Sequence, residues 1–433
     1  MDRNQNLWRK AKRLIPGGNS LLSKRPDMFL PDGWPTYFSE ARGCEITDLN
    51  GQKYLDTCIM GIGTNLLGYS HPEINSAVFN AIERGNMSSL NAPEEVELAE
   101  RLVELHPWAD MVRFARTGGE ANAIAVRIAR AAAGKSKVAV CGYHGWHDWY
   151  LSANLKANDS LDEHLIPGLD TTGVPQNLFG LTSTFSYNSI ASFDAVVGDS
   201  DVGVVVMEVQ RNLPPSPGFL EHIRRVTEEK GIVLIFDECT SGFRETQAGL
   251  HLKYGIFPDI VMYGKALGNG YAITAVVGRR SVMEAAQNSF ISSTFWTEKI
   301  GFAAANKTLE VMEQVKSWQS VTKIGQNIKM VWQEIADRNK VEITISGLDA
   351  IPSFSFKNDN LLAKTYLTQQ MLGSGFLAAN LIFCSTVHDQ KVLDDYFSHI
   401  DNVFHEIGNS GGRELLQKKL KFEVCTDGFK RLN

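Results

Sequence analysis

The chain is poor in everything that would tie it to a membrane, a nucleic acid or an oxidising compartment. It has no uncharged apolar run of about 18 residues, the length a membrane-spanning helix requires. Its first residues, MDRNQNLWRKAKRLIPGG, also lack the continuous apolar stretch of a secretory signal. Both absences point to a cytoplasmic protein with no membrane partner. Positive charge is not in excess: 43 Lys and Arg stand against 49 Asp and Glu, for a formal net charge of -6. With no basic field and no basic cluster, nucleic acid is excluded as the expected partner, and small molecules are favoured. Cysteine is scarce. The six, Cys44, Cys58, Cys141, Cys239, Cys384 and Cys425, show no CxxC spacing and no metal-ligand pattern with histidine, so they read as reduced, mostly buried thiols. His144 and His147 lie close together in YHGWHDW, but no third ligand accompanies them and no metal is expected. No GxGxxG follows the first strand, which argues against a nicotinamide dinucleotide. Internal repeats and low-complexity linkers are absent as well.

What is present is an alternation of strand and helix. Short apolar runs recur at 112–116 (VRFAR), 137–143 (KVAVCGY), 202–209 (VGVVVMEV), 232–238 (IVLIFDE), 259–265 (DIVMYGK) and 273–279 (ITAVVGR). Between them, Ala121, Ile124, Ala125, Ile128 and Ala129 recur with helical spacing in a segment closed by Gly134, and FLEHIRRVTEEKG forms a second such helix ending at Gly231. The pattern predicts an α/β domain with a mainly parallel sheet covered by helices on both faces. Before it, LWRKAKRLI reads as a helix stopped by Pro16-Gly17-Gly18, and CEITDLNGQKYLDT as a hairpin turning at Asn50-Gly51. After about residue 305 come long helices and three candidate strands, VEITISG, IPSFSFK and FLAANLIFCSTVH. The expected organisation is an N-terminal segment over 1–60, a large domain over 61–309 and a small α+β domain over 310–433.

The stretch VLIFDECTSGFR ends a buried strand in two adjacent carboxylates, Asp237 and Glu238. Buried carboxylates lose hydration and need partners. In an open α/β sheet, ligands bind beyond the carboxyl ends of the strands. There the sequence puts Asp237, Lys265, Glu208, Tyr143, His144 and a helix opening with Thr117, Gly118 and Gly119, whose amides can approach an anion. A phosphate cradle, an aromatic face, a carboxylate and a lysine are what pyridoxal 5'-phosphate needs. Plainer readings stand beside these: Asp237 as a helix cap, the glycines as a tight turn, Tyr143 as a core aromatic, Glu208 as one partner of an ion pair.

Six boxes, TGGEANAIAVRIAR, YHGWHD, MEVQRN, FDECTSGFR, PDIVMYGKALGNG and SSTFWT, occur in an order and spacing that resembles the class III, fold-type I aminotransferases. AKRLIPGGNS and DECTSGFR are most similar to the glutamate-1-semialdehyde 2,1-aminomutase group. The resemblance implies a fold-type I transferase, with a large domain built on a seven-stranded sheet and a small domain made from both ends of the chain. It implies that Lys265 forms the Schiff base with pyridoxal phosphate and shuttles a proton, and that Asp237 pairs with the ring nitrogen. Thr117, Gly118 and Gly119 would hold the phosphate, and Tyr143 and Cys239 would contact the two ring faces. His144 would lie at the cofactor, and Glu208 near the ring hydroxyl. Thr294 would reach the phosphate of a neighbouring subunit, which makes the expected assembly a homodimer with shared active sites.

The departures from that group bear on the substrate. Phe295-Trp296-Thr297-Glu298-Lys299 stands where relatives have small residues, LAANLIFCS lacks the group's glutamate, and only Lys24 or Arg25 approximates its N-terminal arginine. The expected reaction is therefore transfer from an amino donor such as glutamate to an aldehyde or ketone, sugars included, with intramolecular 2,1-aminomutation as the alternative.

Overall fold

Residues 2–157, 159–164 and 166–429 are described in the structure, a computed structural model. The N-terminal helix spans Arg3–Leu14, capped by Asp2, whose carboxylate accepts the N–H groups of Asn4 and Gln5. It ends where expected. Gly18 has φ +77°, and a Cβ there would stand 2.2 Å from the Trp8 ring, so the chain folds back on its own helix only because this residue is glycine. Three strands follow, β1 (Phe38–Arg42), β2 (Glu45–Asp48) and β3 (Lys53–Asp56), with the hairpin turn carried by Gly51 at φ +84°.

Next come the strands of the large sheet: β4 (Met111–Ala115), β5 (Lys137–Cys141), β6 (Thr182–Thr184), β7 (Val202–Met207), β8 (Val233–Asp237), β9 (Ile260–Tyr263) and β10 (Thr274–Gly278). Their order is β4-β10-β9-β8-β7-β5-β6. β5 through β9 pair in parallel, and β10 runs antiparallel to both its neighbours. All six strands expected in this region form. The seventh, β6, is a three-residue strand without an apolar run, which periodicity does not detect. β7 and β8 are buried at every residue, as suits strands with both faces covered. The Gly118–Ala133 helix packs Ile124, Ile128 and Ala129 against Val140, Val204, Ile235 and Val276, and it ends on Gly134 at φ +63°.

After the helices Lys299–Val315 and Ser317–Arg338 come β11 (Ile343–Ser346), β12 (Ser353–Phe356) and β13 (Phe376–Leu377). β13 adds to β3 in parallel, so that β1, β2, β3 and β13 make one sheet, while β11 and β12 form their own pair. The strand expected over 376–388 stops after two residues. Beyond it the backbone donors turn to scattered acceptors, Ile382 to Pro352 O, Phe383 to Cys58 O and Cys384 to Ala350 O, so no continuous ladder can form. Residues up to His71 together with those from Gln319 onward form one unit, and Pro72 to Trp318 form the other. The boundaries between the two units fall at 71–72 and 318–319. Five of the six cysteines are buried, Cys239 is half-buried, and all six are free thiols. Among the described residues no helix is long and apolar enough to cross a membrane.

Candidate active site

The register between β8 and β9 sets Asp237 beside Met262, so the two strands end side by side. Three residues past Met262 the chain reaches Lys265, which has φ +45°, a left-handed conformation that strains any residue with a Cβ. Lys265 Nζ donates a hydrogen bond to Thr240 Oγ1 at 2.6 Å. Burial pulls its pKa down to about 8, and the positive charges of Arg211 and Arg244 act in the same direction. Unlike an exposed lysine, this amine is available as a free base close to neutrality.

Asp237 Oδ2 accepts hydrogen bonds from Asn122 Nδ2 and His144 Nδ1, both at 2.9 Å, and Oδ1 accepts from the Cys239 N–H at 3.1 Å. Burial alone would raise its pKa, but the bonds and charge from His144, with help from Asn122, hold it down to about 2. His144 Nε2 faces the Cys141 carbonyl at 3.2 Å. Both ring nitrogens of His144 therefore face oxygen atoms. His144 is fully buried and faces Asp237.

Glu238 points to the opposite side of the strand end, as successive residues must. Its carboxylate accepts from the N–H groups of Leu250 and His251, from Ser241 Oγ and from His251 Nδ1. The adjacent carboxylates thus have separate tasks: Asp237 faces the site and Glu238 staples the 239–251 turn. Glu238→Gln puts an amide donor against these donors. It is expected to destabilise this unit by about 1–3 kcal/mol, read as a lower thermal unfolding midpoint while cofactor uptake at Lys265 persists.

Thr117 caps the 118–133 helix, and its hydroxyl and N–H both go to Glu120 Oε2. The hydroxyl is therefore occupied. The N–H groups of Gly118 and Gly119 lie in the first turn, where the helix itself supplies no acceptor. A Cβ on Gly119 would stand 2.7 Å from His147 Cε1, and one on Gly145 would stand 3.1 Å from Gly119 Cα, so this cradle needs both glycines. His147 Nδ1 is buried beside it without a partner among the described residues.

Tyr143 is half-buried, and its backbone is fixed by donation from its N–H to Glu208 Oε2 at 3.2 Å. Glu208 also takes a bidentate ion pair from Arg211, with Nε at 2.6 Å from Oε2. A Cβ on Gly142 would meet Glu208 Oε2 at 2.7 Å, and Gly142 has φ +115°. Cys239 is half-buried, with Sγ 3.7 Å from where a Cβ on Gly118 would be and 3.6 Å from one on Gly264. Thr294 is exposed and makes no hydrogen bond to the other candidate residues among those described. Asn122, Arg211 and Thr240 were not singled out from the sequence. Asn122 carried a signal, being a lone amide on the apolar face of its helix; the other two carried none.

The donor set fits pyridoxal phosphate. Free amides at a helix start suit its phosphate, an ionised buried carboxylate suits a protonated ring nitrogen, and an amine near neutrality suits its aldehyde.

Residues 32–384 match the family model described as Aminotransferase class-III. The chain is 32% identical to a 3-aminobutyryl-CoA aminotransferase of Cloacimonas acidaminovorans, over 87% of this chain and 90% of that protein. It is 34% identical to a glutamate-1-semialdehyde 2,1-aminomutase of Methanothrix thermoacetophila, over 80% of each. Among solved structures it resembles an omega-transaminase from Sphaerobacter thermophilus with a TM-score of 0.83 at 23% identity, covering 93% of this chain and 97% of that one. At that identity the likeness is one of fold.

Proposed function

This chain belongs to the class III aminotransferase family, whose cofactor is pyridoxal 5'-phosphate, and from that premise we propose that it moves an amino group from an amino acid such as glutamate to an aldehyde or ketone. Pyridoxal phosphate, when bound, supplies an aldehyde that condenses with amines and a ring that draws electrons from the neighbouring carbon. The residues supply the rest. Lys265 Nζ would hold the cofactor and would carry the proton between carbon centres. Asp237 stays ionised and keeps a proton on the ring nitrogen. Gly118 and Gly119 would bind the phosphate through their amides, Tyr143 and Cys239 would contact the two ring faces, and Glu208 holds the Tyr143 backbone. Thr294, exposed in its own subunit, completes the phosphate site of a second copy, so the working unit is a homodimer in the cytoplasm.

The observation that carries this reading is the pair at the adjacent strand ends, an aspartate held ionised and a lysine held near neutrality. The test is a screen that follows the bound cofactor's absorption, with glutamate as donor and 2-oxoacids, aldehydes and keto sugars as acceptors. Amino transfer to an added acceptor supports the reading. Aminomutation is the second reading, favoured by the 34% identical aminomutase relative. It predicts isomerisation of a single substrate with no added acceptor.

A further inference from the structure

Among the described residues, Lys265 Nζ has one hydrogen-bond partner, the Thr240 hydroxyl. Both ends of that contact are held firmly. Thr240 lies in a turn closed by the Gly242 N–H on Glu238 O at 2.9 Å, and its own carbonyl accepts Arg244 Nε at 2.7 Å from a fully buried arginine. Glu238, two residues before Thr240, is itself fixed by four donors. Lys265 starts from a strained backbone that the surrounding structure keeps in place. A hydroxyl can accept from an ammonium and donate to a neutral amine through one and the same oxygen. The contact therefore survives the loss of the lysine proton, with its direction reversed.

We propose that Thr240 is a positioning residue for Lys265, whose hydroxyl holds Nζ at one point of the site in both of its protonation states. This rests on the reading of Lys265 as the amine of the reaction. A carboxylate at this place would trap the amine as an ammonium, and an apolar side chain would leave it to wander. Threonine avoids both, and its backbone carbonyl is tied to Arg244 Nε. The charged and titratable groups that bear on the amine are Arg211, Arg244, Glu208 and Cys239.

The test compares full-length, cofactor-free protein with Thr240→Val, Thr240→Ser and Thr240→Ala. Reductive methylation by formaldehyde and a borane, quantified on the Lys265 peptide by mass spectrometry, gives the pH midpoint at which the amine becomes reactive. Wild type and Thr240→Ser are expected to share a midpoint near pH 8. Thr240→Val, which keeps the shape and loses the hydroxyl, removes an acceptor from the charged amine and is expected to lower the midpoint by about one pH unit. Should the valine protein fail to fold, Thr240→Ala takes its place in the comparison. A midpoint unchanged in a folded hydroxyl-free variant, or shifted equally in Thr240→Ser, overturns the proposal. In parallel, pyridoxal phosphate is added to wild type and to Lys265→Ala. If wild type forms no covalent adduct at Lys265, the reading of the site fails; if it does and the midpoints do not separate, the Thr240 inference fails alone.

Discussion

Lys265→Ala protein is expected to fold as well as wild type, to retain affinity for phosphate-bearing cofactor, and to lose turnover by at least about 10²- to 10⁴-fold, the usual contribution of a positioned proton carrier. Folding is spared for two reasons. The backbone strain at φ +45° is the same for alanine as for lysine, since both carry a Cβ, so the substitution adds none. The lysine's charged form is already disfavoured by burial, so removing it takes away no favourable ion pair. The phosphate cradle at 118–119 lies on a different element and is untouched. Single-turnover measurement with pyridoxamine phosphate and an oxoacid, beside a thermal unfolding trace, checks both halves of this expectation. Normal turnover in a folded protein would refute the role of Lys265.

Asp237→Ala is expected to damage both stability and chemistry. Its removal leaves the His144 ring and the Asn122 amide buried without their shared partner. Each buried polar group left without its hydrogen-bond partner costs about 1–3 kcal/mol. The ring nitrogen loses its counter-charge at the same time, and the loss of one preorganised electrostatic contact of this kind lowers turnover by about 10²- to 10³-fold. Asp237→Asn separates the two effects: it keeps the shape and part of the hydrogen bonding, so stability recovers while turnover stays low. The pH dependence has a definite sign. The folded carboxyl titrates at about 2, below its ordinary 3.8, so its contribution to stability is complete above about pH 4 and is lost as pH falls through 2. Acid unfolding followed by tryptophan fluorescence should show a step in wild type that is reduced in Asp237→Asn.

Much of the architecture could be read from apolar runs because the central strands are buried on both faces, so β7 and β8 carry almost nothing but aliphatic residues before their terminal carboxylates. Where backbone bonds are not a ladder, as in 378–386, apolar composition misleads: those residues are buried for packing and satisfy their N–H groups one at a time. At the site, residue types were visible and partners were not. Asp237 and Glu238 are chemically alike and adjacent. Strand alternation says only that they face opposite ways, and tertiary neighbours decide which one meets the ligand. Thr117, expected beside the phosphate with Gly118 and Gly119, also stands in a capping-box spacing with Glu120, and the structure forms that box. Tyr143 and Glu208, read separately as a ring face and a charge, share a single contact that makes the second the support of the first.

The antiparallel insertion of β10 between β4 and β9 has a consequence for how the enzyme is made. β4 has one sheet neighbour, and that neighbour pairs Thr274 with Ala115, roughly 160 residues later in the chain, the kind of distant closure that slows folding. During vectorial synthesis the segment that leads into the glycine pair must therefore wait at the ribosome's exit for a strand not yet translated. A nascent chain cut before that strand lacks the pairing partner of its first large-sheet strand.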